Sequence, residues 1–556
     1  MPTPQARSVA LSVAAISISA MLYAQETVGG IPWGISHGWD RHDIPAVIAS
    51  PFDAAAVDLD DVERDRAGAL PLYGRFQTVH ADPLMTGQWT ELGNGDRVWR
   101  QRVLSPGALA MELFFADHQM PTGSILHVYD EAGGQLQGGY TAYNTQPDGS
   151  FSTEMIHGDA CIIEYYEPGE VRGQGGFRLT QVAHAYRMVG EERADPCQVD
   201  VNCSEGAAWT DQRDAVMRVR VVIPQGVGFC TGVLMNNTGQ NCDPLVLSAF
   251  HCSQGSSAGQ FNQYQFRFNY QRLNCGTGNP QAGNTVTGCT RLADSNDNGG
   301  DNGSDFVLVR LNNPLPANIN AFYAGWDATG TGSGSGVSIH HPAGDEKKVS
   351  TYTANLVSSS WWLATGSHWR VSWAATTNGH GVTEGGSSGS PIFNAAKRVL
   401  GTLTGGASCC TLNGCGQGTS PTAPDYYGKM SYHWSQNPNP ASEKLRLFLS
   451  PGGNVTTFDG AYCTNVSVQE WEWPSPPEVF PNPAVDRVTV RTPHPTRRID
   501  RVEVTDVTGR LVHAERPVTS GDIVLDVSAW SAGSYRITLI ANGVRLPGAK
   551  VLVAGR

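Results

Sequence analysis

The run Gly385-Gly386-Ser387-Ser388-Gly389-Ser390-Pro391 sets two adjacent serines on a glycine-rich turn. Strand-forming residues flank it, Val382 and Thr383 before, Ile392 and Phe393 after. Small residues let a backbone turn sharply and leave its N–H groups uncovered. A serine hydroxyl presented there can attack a carbonyl carbon, and the free N–H groups can hold the oxyanion that forms. The same composition also makes ordinary surface loops, so the turn needs partners. Hydroxyl attack requires a base to take the proton and a carboxylate to orient that base.

Two chain orders could supply them. The elbow pattern G-x-S-x-G fits with Ser387 as nucleophile, but that architecture needs a helix after the serine, then an acid and a histidine. Pro391 and the strand-like Ile392-Phe393 oppose a helix, and His433 is the only histidine between Ser388 and the C-terminal linker. The order His, Asp, Ser is met by His251, Asp305 and Ser388. His251 closes the apolar run Pro244–Phe250 and stands beside Cys252, and a disulfide from Cys252 to a neighbouring strand would hold its backbone still. Asp305 opens the strand-like Phe306–Leu311. The run Asp294-x-Asn296-x-Asn298-Gly299 imitates a calcium loop with Asp305 at its twelfth position. An EF-hand needs a helix where this strand lies, so Asp305 reads as a buried carboxylate at a strand start. A calcium site within 294–303 is the lesser alternative.

The elements that must position these groups are strands. Alternating and apolar short runs outnumber helical periodicity, and 64 glycines with 33 prolines punctuate them, so the chain reads as mostly β. At 556 residues it has room for three or four domains. A formal charge of −13 argues against a nucleic-acid partner, which needs a basic patch. Residues 1–24 have the form of a signal peptide: Arg7, the apolar Ser8–Met21, and a cleavage site at Leu22-Tyr23-Ala24. No later stretch reaches a membrane-spanning length. An exported chain suits twelve cysteines, ten of them between Cys197 and Cys415. That clustering marks the middle as a disulfide-stapled unit.

Taken in order, residues 25 to about 70 show little periodicity and read as a loosely ordered lead-in. Gly74–Arg187 reads as a β-sandwich with nothing catalytic in it, His157 and His184 being structural. The polar stretch Gly190–Pro196 offers Arg193 as a processing site. Pro474, Pro476 and Pro477 form a linker to a small all-β module. The boundaries are therefore 25–193 for an N-terminal β domain, 194–463 for the central unit, 464–478 for the linker and 479–556 for the last module.

The central unit resembles the bacterial lysyl endopeptidase family of trypsin-like serine proteases. The resemblance rests on Leu247–Cys252, Ser304-Asp305-Phe306, Ile339-His340-His341-Pro342 and Gly381–Pro391. It implies a chymotrypsin-like double β-barrel with His251 as base, Asp305 as its orienter and Ser388 as nucleophile. The N–H groups of Gly386 and Ser388 would form the oxyanion hole. It also implies disulfides Cys230–Cys252, Cys203–Cys275, and Cys197 with Cys409 or Cys410. Residues 25–193 resemble the family's propeptide. Between Gly389 and Phe458 the only aspartate is Asp425 and the only glutamate Glu443. A cationic substrate side chain needs a carboxylate at the base of its pocket, and Asp425, in Asp425-Tyr426-Tyr427-Gly428-Lys429, matches the family's lysine-reading aspartate, with Thr383 as a pocket wall. Ser387 stands where trypsin carries the aspartate that pairs with its new N-terminus, so that salt bridge is unavailable to this chain. The stretch before Asp195 also lacks the lysine that self-cleavage would prefer.

The tail, through Phe480-Pro481-Asn482-Pro483, Val507–Leu511 and Gly533-Ser534-Tyr535, resembles the sorting domain of the type IX secretion system. The expectation is a secreted serine endopeptidase without cofactor or metal, acting on peptides with basic residues, Lys first and Arg second. Its other partner would be the export machinery, with attachment to the cell surface through the tail. The rival reading is a binding or adhesion protein with an inactive protease fold. Loss of a triad member would mark it, and none is missing.

Overall fold

The computed structural model describes residues 29–66, 68–187, 194–410, 418–453, 455–463, 477–491, 499, 501–506, 510–515, 522–541, 544–545 and 548–554. The signal-like segment, Arg193, Cys415, most of the linker and Val507-Thr508-Gly509 lie outside them. The chain divides into two units, Met1–Cys463 and Thr464–Arg556.

In the N-terminal part, strands Arg97–Leu104, Ala160–Glu167, Ile125–Asp130 and Leu136–Tyr140 form one sheet, and Leu72–Ala81, Gly176–Ala185 and Ala110–Gln119 lie in a second. Alternate residues of both point inward and share a core that includes Trp99, Leu113, Phe115, Val128, Ile163 and Val182. This is the expected sandwich. Burying each such side chain is worth about 1.5–3 kcal/mol, so the segment holds itself together. His184 is buried, hydrogen-bonded to Ser105 at 2.9 Å and stacked on Phe52, a structural role.

The lead-in is more ordered than its sequence suggests. Ala54–Arg66 is a helix, begun where Asp53 Oδ1 accepts the Ala56 N–H at 3.0 Å. Most of its residues face solvent, so no apolar stripe announces it. Its Asp61 is buried and receives Arg75 at 2.6 Å, the Tyr186 hydroxyl at 2.8 Å, and Arg187.

The central part contains two arrays of strands. The first runs Gln265–Phe268, Val216–Ile223, Gly226–Met235, Leu245–Ser248, Val307–Leu311, Cys289–Asp294. The second runs Lys348–Tyr352, Gly336–His340, Pro391–Asn394, Val399–Gly406, Asp425–Lys429, His368–Val371. Asn284–Thr287 also pairs with Gln265–Phe268 and, one residue on, the chain continues as Cys289–Asp294 at the other end of the first array. One core spans both, with Leu247, Phe306 and Leu308 of the first meeting Val337, Ile339 and Phe393 of the second. The strand Gly226–Met235 also carries the N-terminal sandwich: Gly226 and Val227 pair with Arg75 and Gly74. The second sheet of the sandwich and the first array are thus one continuous sheet.

Four disulfides are described. Cys197–Cys410, Cys203–Cys275 and Cys230–Cys252 are the pairs the resemblance implies. Cys242–Cys463 ties the end of the unit to its first array. Cys161 and Cys289 are free and buried. In Thr464–Arg556 two antiparallel sheets, one built on Arg487–Arg491 and one on Arg501–Asp506 and Gly533–Ala541, enclose a core of Val488, Val504, Ile537 and Val551.

Candidate active site

Register brings His251 and Asp305 together. Strands Leu245–Ser248 and Val307–Leu311 are antiparallel with Ser248 opposite Val307, so the residues just past the first strand meet those just before the second. His251 sits in a 3-10 turn, Phe250–Cys252. Asp305 Oδ1 accepts its backbone N–H at 2.9 Å and Asp305 Oδ2 meets its Nδ1 at 2.7 Å. One carboxylate therefore fixes both the position and the tilt of the ring. A neutral imidazole held this way carries its proton on Nδ1 and leaves Nε2 free to accept another. Among the described residues Nε2 meets only the Cys252 sulfur, at 4.0 Å.

Asp305 is fully buried and its backbone is left-handed, with φ of +59°. Such a conformation costs a non-glycine residue about 1–3 kcal/mol and persists only where its surroundings impose it. Asp297 does so: its Oδ2 accepts the Asp305 N–H at 2.7 Å, and its Oδ1 accepts from Ser295 Oγ at 2.7 Å and the Gly300 N–H at 3.1 Å. Behind them Thr402 Oγ1 donates to the Asp305 carbonyl at 3.4 Å and Ser304 Oγ meets His433 at 2.7 Å. The calcium-like loop is thus the scaffold of Asp305. Asp294 is held by Arg291, and Asp297 spends its oxygens on loop donors. Sequence reading missed Asp297 as a positioning residue. Its signal was an acid eight residues before Asp305 in a turn-forming Asn/Gly run.

The electrostatics follow from this geometry. Burial lowers the His251 pKa, but the charge and hydrogen bond of Asp305 outweigh it and the net shift is upward. Burial raises Asp305, and the His251 charge and hydrogen bonds bring it below the usual carboxylate range. Asp297 is pushed up to about 6, by burial first and then by the Asp305 charge.

Ser388 arrives from the second array. Thr231, in the first, donates its N–H to the Ser388 carbonyl at 2.8 Å and its hydroxyl to the Gly386 carbonyl at 2.9 Å. The Cys230–Cys252 disulfide links the residue before Thr231 to the one after His251. Ser388 is partly exposed. Among the described residues no hydrogen bond joins Ser388 Oγ to His251 Nε2, a contact that often tightens only with substrate bound. Gly386 has φ of +93°, and a side chain there would strike the His341 carbonyl and the Gly344 N–H. Among the described residues neither the Gly386 nor the Ser388 N–H donates to a protein acceptor, which leaves both available.

Ser387 points the other way. It is fully buried, its Oγ accepting the Glu384 N–H at 3.2 Å and lying 2.8 Å from His340 Nδ1. Asp425 and Thr383 are brought together: Asp425, fully buried, accepts Thr383 Oγ1 at 2.8 Å, Trp373 Nε1 at 2.6 Å and Ser408 Oγ at 2.6 Å on one oxygen and the Ser408 N–H at 3.1 Å on the other. Burial raises its pKa, and the bonds from Ser408, Trp373 and Thr383 oppose the rise.

Two strand arrays, a carboxylate-held histidine and a serine on a glycine turn between them define a trypsin-like serine protease domain. Residues 191–428 match the family model described as the C-terminal domain of lysyl endopeptidase, and residues 478–551 match the secretion system C-terminal sorting domain. The chain is 28% identical to a lysyl endopeptidase of Pseudomonas aeruginosa over 381 residues, 64% of this chain and 77% of that one. The chain thus carries a domain similar to the C-terminal domain of lysyl endopeptidases and, after it, one similar to the secretion system sorting domain. Among solved structures it is similar to a thermostable serine protease, AL20, at 14% identity, covering 41% of this chain and 99% of that one with a TM-score of 0.29. It is also similar to Rv3671c of M. tuberculosis in an inactive Ser343Ala form, at 13% identity, covering 43% and 90% with a TM-score of 0.25. Overlaps this weak add nothing to the family match. No helix among the described residues is long and apolar enough to cross a membrane.

Proposed function

We propose that the chain is an exported serine endopeptidase that cleaves after lysine, with His251, Asp305 and Ser388 as its triad. The observation that carries the reading is the double grip of Asp305 on His251, through backbone N–H at 2.9 Å and Nδ1 at 2.7 Å. His251 Nε2 takes the Ser388 proton as Oγ attacks the substrate carbonyl. The oxyanion is received by the Gly386 and Ser388 N–H groups, worth about 3 kcal/mol per donor in such sites. His251 then returns the proton to the leaving amine, whose departure leaves an acyl-enzyme. Water, deprotonated by the same imidazole, repeats the attack and releases the carboxylic acid.

Asp425 is the substrate-reading carboxylate and Thr383 lines its pocket. Burial raises its pKa, and its four donors oppose that rise in favour of the ionised form, which a lysine ammonium requires of its partner. Residues 25–193 serve as a propeptide, removed after Arg193, with 194–463 as the protease, 464–478 as linker and 479–556 as the export signal read at the cell surface. The test is a fluorophosphonate probe on the processed protein. Labelling of the wild type but not of Ser388→Ala is expected, with cleavage of a peptide library after lysine. A processed protein that takes no label would end the reading.

A further inference from the structure

Three carboxylates, Asp195, Asp345 and Glu384, lie at the start of the central unit, and no ion pair involves them among the described residues. The Ala194 N–H donates to Asp345 Oδ2 at 3.1 Å, and the Asp195 N–H donates to Glu384 Oε1 at 3.2 Å. Carboxylate oxygens of Asp195 and Glu384 lie within 4.8 Å of one another. The neighbouring cations are already engaged: Arg272 and Lys348 both pair with Glu346, and Lys348 also with Asp200 at 2.5 Å. Among the described residues none of Asp195, Asp345 and Glu384 has a salt bridge. The Gln198 amide donates to Glu384 at 2.6 Å, yet its own oxygen is buried without a donor. Asp345 at the Ala194 nitrogen and Glu384 at the next nitrogen form a site short of positive charge, and the Gln198 amide beside Glu384 is short of a donor.

We propose that Asp345 and Glu384 are the docking site for the α-ammonium group of Ala194, created when the Arg193–Ala194 bond is hydrolysed, and that the docked terminus fixes the turn carrying Gly386 and Ser388. The proposal rests on the reading of the domain as a processed serine protease. Hydrolysis adds water across the bond: the Arg193 carbonyl becomes a carboxylate, and the Ala194 nitrogen gains protons and a positive charge where it already lies. The terminus cannot wander. Cys197, three residues on, is fastened to Cys410, so the new end stays within about 10 Å of that anchor. Burial pushes both carboxylates up to about 6, which an arriving cation would relieve.

The two acids sit on the segments that shape the turn carrying Gly386 and Ser388. Glu384 donates its N–H to Ser387 Oγ and accepts the Ser387 N–H at 3.0 Å. Asp345 closes the loop His341–Asp345, whose Ala343 N–H donates to the Gly385 carbonyl at 2.6 Å. Trypsin's aspartate is replaced by Ser387, and here the acids lie three residues earlier and on the facing loop.

The experiment uses the full chain, exported and processed. Mass spectrometry should find Ala194 as the first residue of the mature protease. Its α-amine should react with an acylating reagent only at a pH above the ordinary value of about 7.7–8.0, because the carboxylates hold its proton. Glu384→Gln and Asp345→Asn should restore ordinary reactivity and lower kcat about tenfold or more, KM changing less, while Glu384→Asp recovers part of both. Thermal unfolding of each variant separates loss of fold from loss of docking. An uncut chain, a first residue other than Ala194, an amine of ordinary reactivity, or variants with wild-type kcat and amine reactivity would overturn the docking site. A processed wild type that takes no fluorophosphonate would instead undo the protease reading itself.

Discussion

Ser387 and Ser388 are neighbours in the chain, yet they belong to opposite kinds of polar site. The Ser387 site is closed. Ser350 Oγ donates to the Val382 carbonyl at 3.1 Å, so it accepts from His340 Nε2 at 2.9 Å, and His340 Nδ1 in turn accepts from Ser387 at 2.8 Å. Every valence is spent within a buried relay, and burial, aided by the Lys348 charge, pushes His340 down to about 3. The His251 site is open. Its Nδ1 and backbone are spent on Asp305, its Nε2 is not, and its pKa moves the other way. A buried histidine beside a serine is structural unless a carboxylate accompanies it and one ring nitrogen is left over.

The largest effect should separate the two serines. Ser388→Ala should lower kcat by at least about 10⁴-fold and abolish probe labelling, because the nucleophile is gone. Ser387→Ala should still be labelled. Its cost falls on stability, about 1–3 kcal/mol for leaving the Glu384 N–H and His340 Nδ1 without their partner, read as a lower denaturant midpoint. If Ser387→Ala lost the label and Ser388→Ala kept it, the contrast would be inverted. Next comes Asp305→Asn. The amide can donate to Nδ1, which favours the tautomer with its proton on Nε2, and kcat should fall by about 10³–10⁴-fold with KM little changed. Smaller again is Asp425→Asn. Removing a buried charge opposite a lysine side chain costs about 2–5 kcal/mol, roughly 30- to several-thousand-fold in kcat/KM for lysine peptides, with neutral peptides unaffected. Full retention of lysine preference would move the pocket elsewhere while leaving the triad standing.

How far this site was legible depends on how local its signals are. His251, Asp305 and Ser388 each sit in a short motif, and the strands Val216–Ile223 and Arg487–Arg491 have the bounds that their apolar alternation suggests. Three disulfides came through the family resemblance. Cys242–Cys463 did not, since 221 residues separate its ends and neither end carries a local mark. The helix Ala54–Arg66 escaped because periodicity was sought where the informative features were its alanines and the Asp53 cap. That the sandwich shares a sheet with the protease was also invisible: strand edges meet through backbone groups, which every residue type possesses. Asp297 lay in plain view, but nothing local shows that its oxygens face the Asp305 and Gly300 N–H groups.

The smallest expected effect probes that aspartate. His251 acts as a base only when neutral, so kcat/KM should rise as pH climbs through its pKa, giving an acid limb centred above the ordinary imidazole value of about 6.5. Most of the upward pull comes from Asp305, and Asp297 adds a second negative charge that also favours the imidazolium. Asp297→Asn removes that charge, while its amide oxygen can still accept the Asp305 N–H. The limb should therefore move to lower pH with the plateau rate nearly unchanged. The displacement is modest because Asp297, itself pushed up to about 6, loses its charge within the lower part of the limb. A limb that stays in place would mean that Asp305 alone separates His251 from the silent His340. A fallen plateau would instead mean that the left-handed backbone of Asp305 depends on a carboxylate at 297.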